Sequence, residues 1–382
     1  MSALRGQIAI AGVGTTRSWN NPGQTSLDQM AVAIQAAAAD AGIGVHEIDG
    51  IFTATLSQFM PAMSVPEYLG IRPKVLDGTN IGGSSFVAHL VPAMLSIQAG
   101  LCDIACICYG SNQKSAGGKL MTLSEPMTFE APYQPRNPIG AYAMATARHM
   151  HQYGTTRTQL AEVAVAARKW AQLNPEALMQ DDLNIEQVLA ARMVADPLSL
   201  LDCCLVTDGG GAIILVSADR AKDMARPPVY VLGAAAATTH RQISQMPDLT
   251  VTGAVDSGRR AFGMAGLTPG DVDLVQLYDA FTINPILFLE DLGFCPKGEG
   301  GRFVENGALA PGGRLPFNTN GGGLSCCHPG MYGVFLLIEA VRQLRGDAGP
   351  RQVADAEIAL VHGNGGQLSS QVTALLGSAA TV

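Results

Sequence analysis

Residues 47–54 read EIDGIFTA, and residues 271–277 read DVDLVQL. Each is a short acidic turn feeding an apolar, partly β-branched run, the pattern of a strand entering a core. The surroundings match too. An apolar strand at 7–13 and a helical run at 26–41 precede the first copy; a strand at 229–235 and a helical run at 256–265 precede the second. After the first come a Gly/Ser loop at 82–85, a helix ending near Gly100 and a strand at 104–109. After the second come glycines 321–323, His328-Pro329-Gly330, a helix to about Leu344 and a strand at 358–362. The repeated order is that of a duplicated unit. Alternating strands and helices predict parallel sheets with helical crossovers, and two like halves predict two such sheets packed together.

A different region separates the copies. Residues 115–200 carry Pro126, Pro132, Pro135 and Pro138 in a loop-like stretch, then helical runs at 141–153 and 158–173. This predicts an insertion capping one end of the sheets, where active-site loops gather. The expected division is 1–114 with 201–224 as the N-terminal half, 115–200 as the inserted cap and 225–382 as the C-terminal half, entered through the linker ARPP at 225–228.

Composition narrows the function. The length of 382 residues suits two or three folding units. A net charge of −8 argues against nonspecific nucleic-acid binding. Apolar residues at 47% and charged residues at 15% supply a large core and argue against disorder. The most apolar stretch, 86–109, is interrupted by His89, Gln98, Gly100 and Asp103, so no membrane span is expected. QIAIAGVG at 7–14 follows the start with no basic segment, so no signal peptide is expected and the cytoplasm is the expected location. Eight cysteines, two pairs of them adjacent, suit buried free thiols in a reducing compartment. No C-x-x-C occurs, which argues against a zinc ribbon in this chain.

Four stretches together resemble the thiolase superfamily, in its sterol-carrier-type branch with the bacterial lipid-transfer proteins: 202–209 (DCCLVTDG), 278–282 (YDAFT), 318–323 (NTNGGG) and 328–330 (HPG). The resemblance covers nearly the whole chain. It implies an α/β, five-layer αβαβα sandwich of two duplicated halves with an inserted helical cap, usually a homodimer. Thiolases in this superfamily use a nucleophilic cysteine at a helix start, a second cysteine near the chain end and the histidine of the H-P motif. Here the nucleophile's loop reads NIGGSS at 80–85, placing Gly83, or Ser84 with a one-residue slip, at the cysteine position. The late motif reads GNGG at 363–366, without a cysteine. Serine is a poor substitute, because its hydroxyl needs a dedicated base.

Two tyrosines stand where relatives carry other residues: Tyr278, in place of His or Asn, and Tyr332, just after the H-P motif. This resembles the thiolase-like steroid side-chain aldolases. They cleave a β-hydroxyacyl-CoA without a covalent intermediate, with a small OB-fold partner bearing a zinc ribbon. The resemblance implies a carbon–carbon lyase that releases a ketone and a short acyl-CoA such as propionyl-CoA or acetyl-CoA. Its partners would be the acyl-CoA substrate, a second copy and the OB-fold protein. No cofactor is expected in this chain, and zinc would belong to the partner.

Retro-aldol cleavage needs a base for the β-hydroxyl proton and donors for the thioester enolate. Tyr332 is the expected principal proton-transfer residue, Tyr278 its partner, and His328 the residue that orients them or donates to the enolate. Gly83, Ser84, Asn320, Gly322, Gly323, Asn364 and Gly365 are the expected substrate or CoA contacts, and no residue is expected to bind metal. Arg148, Arg168 and Lys169 are available for CoA phosphates or for simple solvation. His149 and His151, two apart on a helix, diverge and do not suit a metal. Gly12-Val-Gly14 lacks a third glycine of a dinucleotide loop, position 17 being Arg17. Cys203, Cys204, Cys326 and Cys327 read as packing residues. The competing functions are an acyltransferase with a relocated nucleophile, Ser84 or Cys327, and a noncatalytic acyl-CoA or lipid binder.

Overall fold

The computed structural model describes residues 4–16, 18–118, 127 and 129–382. Arg17 and Pro126 lie outside the described residues. The strands are β1 (Ile8–Thr15), β2 (Gly50–Thr53), β3 (Val75–Asp77), β4 (Ile104–Ser111), β5 (Met193–Ala195), β6 (Leu198–Ser199), β7 (Gly209–Ser217), β8 (Val229–Thr238), β9 (Leu274–Leu277), β10 (Ile358–Gly365) and β11 (Ser370–Gly377). Strands β5 and β6 form a small separate ribbon, and the other nine form one sheet in the order β3-β2-β4-β7-β1-β8-β11-β10-β9. Outward from the middle, β1-β7-β4-β2 on one side corresponds to β8-β11-β10-β9 on the other. The duplication is thus structural.

Two expectations change. The halves are not separate sheets: β1 and β8 join them antiparallel through Ala9–Tyr230 and Ile10–Val229. Nor are the halves parallel throughout. Pairing is parallel at β2–β3, β2–β4 and β9–β10. It is antiparallel at β1–β7, β4–β7, β8–β11 and β10–β11. The reason is β7 and β11, which the helix–strand alternation does not announce. β11 returns directly from β10 as a hairpin, and β7 enters from the insertion. β7 opens at Gly209, directly after Asp208.

Helices cover both faces, so strands such as β4, buried at every residue, need no polar alternation. The Ser26–Ala41 helix starts on a Thr25/Asp28 capping box and stops at Gly42, φ 72°. It packs on β1, β4 and β7. Gly12 and Gly14 permit this approach: a Cβ on Gly14 would lie 2.4 Å from the Ala33 carbonyl. The pair is therefore a helix-packing feature. The Ala254–Ala265 helix covers β8 and β11 in the same way. Between the halves, the Gly333–Leu344 helix and the short Ser85–Ala88 helix each touch strands of both. With these helices between the two halves of the one sheet, and the Ser26–Ala41 and Ala254–Ala265 helices outside them, the layers run αβαβα.

The Ile139–Tyr153 and Arg157–Gln172 helices of the insertion share the main core through residues such as Tyr142, Leu160 and Val163. His149 anchors the first of them. Its Nδ1 bonds Thr155 Oγ1 at 2.8 Å, and its Nε2 lies 3.1 Å from both Glu290 carboxylate oxygens. Glu290 also receives Lys297 Nζ at 3.0 Å and the Gly300 amide at 2.8 Å. Removing one member leaves a buried charge short of partners. His149→Ala is expected to lower unfolding stability by about 3 kcal/mol, read by urea denaturation. A loss near zero would show that the cap is held elsewhere. Among the described residues, no helix is long and apolar enough to cross a membrane.

Candidate active site

The end of β9 and the 328–332 segment that leads into the Gly333–Leu344 helix bring Tyr278, His328 and Tyr332 together. All three are buried. Tyr278 Oη lies 3.1 Å from His328 Nε2 and accepts the Tyr332 amide proton at 3.0 Å. The Gly330 carbonyl is farther, at 3.5 Å. The Tyr278 ring meets both neighbours edge-on, 5.7 Å from His328 and 6.0 Å from Tyr332 between centroids. The two tyrosines are therefore linked through an amide rather than through their hydroxyls.

Tyr332 Oη belongs to Asn320. Asn320 Oδ1 accepts the Gly322 amide at 2.8 Å, which fixes the orientation of its side-chain amide. Its Nδ2 then donates to Tyr332 Oη at 2.9 Å. The alternative bond, Tyr332 hydroxyl to Asn320 Oδ1, is longer at 3.2 Å. A phenol that already accepts one hydrogen bond has its own proton available for a substrate atom.

Burial sets the charge states. It lowers the His328 pKa to about 4, so the imidazole is neutral. It pushes both phenols well above 10, so both keep their protons. Tyr278 O–H then donates to His328 Nε2, the nearer acceptor. His328 Nδ1 is buried without a hydrogen-bond partner among the described residues. Such a pair can take a proton at Tyr278 Oη by passing its own to His328.

The glycines make this convergence possible. Gly323 and Leu324 amides donate to Asp279 at 2.7 and 3.3 Å, and a Cβ on Gly322 would sit 2.1 Å from Asp279 Oδ2. Burial raises the Asp279 pKa to about 6 against the pull of these amides. Gly83 abuts Tyr278: a Cβ there would come within 2.4 Å of the phenol ring. A Cβ on Gly365 would lie 1.9 Å from the Ile81 carbonyl, so the 81–84 loop lies tight on β10.

The other expected contacts stand farther out. Ser84 Oγ faces Ile81 O and Ser370 Oγ, each at 3.1 Å, so it is held in the interior of the sheet junction. Asn364 Nδ2 donates to Tyr142 Oη at 2.8 Å, while its Oδ1 accepts from Gln371 at 2.8 Å. Arg168 is buried against Ser325 Oγ and the Asp181 carbonyl, which removes it as a surface cation; Arg148 and Lys169 are exposed. All eight cysteines are free, and burial raises the Cys327 thiol well above its usual range. Among the described residues, no three His, Cys, Asp or Glu side chains converge as a metal site.

Asp279, Thr207 and Tyr142 escaped the sequence reading. Thr207 Oγ1 receives the His328 amide at 3.1 Å. Asp279 had a signal, its place beside Tyr278 in YDAFT. Tyr142 had none, since it reaches Asn364 from the insertion.

The thiolase C-terminal domain-like pattern matches residues 235–378. An acetyl-CoA acetyltransferase of Methanothermobacter thermautotrophicus is 36% identical, over 94% of this chain and 96% of that protein. The 17-hydroxy-3-oxo-4-pregnene-20-carboxyl-CoA lyase of Mycobacterium tuberculosis is 35% identical, over 94% and 96%. A solved Ltp2-ChsH2(DUF35) aldolase superposes with a TM-score of 0.90 at 32% identity, covering 98% of this chain and 99% of that one. Nearly end-to-end likeness to both acyl-transferring and bond-cleaving relatives, on one fold, has a single meaning: this chain belongs to the thiolase superfamily, in its sterol-carrier-type, thiolase-like branch.

Proposed function

We propose that the protein is a retro-aldolase. It cleaves the Cα–Cβ bond of a β-hydroxyacyl-CoA bearing a steroid side chain, giving a ketone and a short acyl-CoA such as propionyl-CoA or acetyl-CoA. One observation carries the reading: the ring of Tyr278, with its hydroxyl on His328, fills the space that a side chain at residue 83 would need. A pocket so occupied has a proton relay and no nucleophile.

Tyr278 Oη receives the β-hydroxyl proton while its own proton moves to His328 Nε2. As the carbonyl forms at Cβ, the Cα–Cβ electrons pass into the thioester enolate. Tyr332, its oxygen held by Asn320, donates to that enolate and gives a proton to Cα; its phenolate then recovers a proton as His328 gives up the one it took, so both groups end as they began. A tertiary alcohol suits this chemistry, since its product is a ketone. A cleft beside Gly330 and Met331, lined also by Thr55, Ser57 and Tyr109, holds only about 10 Å³, so a thioester entering there requires it to widen. The acyltransferase reading needs a thiolate, and Cys327 is buried with its thiol held protonated.

The aldolase relative is, by its name, a complex with a DUF35 protein. We extend this to a small OB-fold partner carrying any zinc, to a homodimer of this chain and to a cytoplasmic location. The test is co-expression with such a partner, incubation with a β-hydroxyacyl-CoA carrying a tertiary C17 hydroxyl, and mass spectrometry of both products. Cleavage by the wild type, lost in Tyr332→Phe, is expected. An acyl adduct on Ser84 or Cys327 would overturn the mechanism, and bound but uncleaved substrate would favour the binder.

A further inference from the structure

The nearest obstacle to a side chain at Gly83 is Tyr278. The φ of Gly83 lies outside the left-handed region, so its backbone suits any L-residue. The three atoms nearest a Cβ there all belong to Tyr278: Cε2 and Oη at 2.4 Å and Cζ at 2.5 Å. Neither side can give way. The Tyr278 hydroxyl is tied to His328 and to the Tyr332 amide, and its ring is buried. The Gly83 carbonyl accepts the Gly333 amide at 3.1 Å, and a Cβ on Gly333 would lie 2.4 Å from that carbonyl. On the far side Gly365 leaves the Ile81 carbonyl no slack.

We infer that residue 278 decides which chemistry this pocket can carry. Tyrosine and a side chain at 83 exclude each other, so the phenol that serves as proton relay also bars a nucleophile. Removing the ring frees a volume facing His328 in which a thiol can sit. That thiol can take an acyl group from a thioester: its sulfur bonds the carbonyl carbon, the bond from that carbon to the CoA sulfur breaks, and the thiol proton leaves on CoA. The inference rests on reading the pocket as a lyase site, but its test reads packing and thiol acylation, so its failure and that of the cleavage assay are distinguishable.

The experiment is a double-mutant cycle on the full chain. Gly83→Ala is expected to lower the unfolding midpoint by about 5 °C or more, from overpacking alone. In the Tyr278→Ala background the same change is expected to cost about 1 °C or less. Failure of Gly83→Ala to fold, with recovery in the double variant, is the same result in stronger form. Tyr278→Phe keeps the ring and must not rescue; Tyr278→Asn supplies a second small background. Equal losses in all backgrounds would overturn the exclusion. Gly83→Cys/Tyr278→Ala, incubated with acetyl-CoA, is expected to gain the mass of one acetyl group, whereas Gly83→Cys alone is not. No gain in the double variant would overturn the chemical half of the inference.

Discussion

Tyr278→Phe is expected to slow cleavage by roughly 10²–10⁴-fold, the usual range for losing one positioned proton-transfer group. The substitution is a narrow one. The ring stays and still fills the space beside Gly83. Only Oη goes, and with it both the bond to His328 Nε2 and the acceptor of the Tyr332 amide. The loss should appear in kcat, with KM little changed, because no part of the acyl pocket is reshaped. A buried N–H without a partner costs about 1–3 kcal/mol, so stability should fall modestly as well. A kcat within a few-fold of wild type would remove Tyr278 from the relay and leave Tyr332 as the principal proton-transfer group.

The second large effect is on acid stability. His89, His328 and His362 are buried, and burial lowers each pKa from 6.5 to about 4. In the unfolded chain they protonate near 6.5; in the fold they resist until about 4. Between those values the unfolded state binds more protons, so stability is complete above 6.5 and falls as the pH drops towards 4. Each group contributes on the order of 3 kcal/mol over that window. Asp279 works the other way. Its pKa rises from 3.8 to about 6 on folding, so its contribution is complete below 3.8 and is lost as pH rises through 6. Burial raises Asp291 in the same direction as Asp279 and lowers His240 with the other histidines, and the histidines outweigh the two carboxyls. Urea unfolding should show several kcal/mol less stability at pH 5 than at pH 7.5, a large share of a whole fold's usual 5–15 kcal/mol. Equal values at both pH values would mean that the imidazoles are hydrated.

The sequence exposed the fold wherever an apolar strand and its helix recur in order. It did so for β1 with Ser26–Ala41 and for β8 with Ala254–Ala265. It hid β7 and β11, whose antiparallel insertion follows from a returning chain rather than from a crossover helix. Tyr278 and Tyr332 were visible as departures within motifs, and His328 as the histidine of the H-P motif. Which atoms they share was not, since the Tyr332 amide, rather than its hydroxyl, bonds Tyr278. The setting of Ser84 was hidden for a related reason: spacing places it at the loop, but only packing turns its hydroxyl towards Ser370.

The bond from the Gly333 amide to the Gly83 carbonyl has a wider consequence. The helices beginning at Ser85 and Gly333 are counterparts in the two repeats, and β1 meets β8 antiparallel between them. The chain is arranged like a twofold dimer whose two subunits have been fused. In such an arrangement each subunit would ordinarily bring its own centre. Here the two equivalent helix starts touch through that bond, so the two would-be centres fall together. One repeat supplies the bare glycine loop and the other the tyrosines and histidine. Duplication has yielded a single asymmetric centre, and neither repeat holds a complete one without the other.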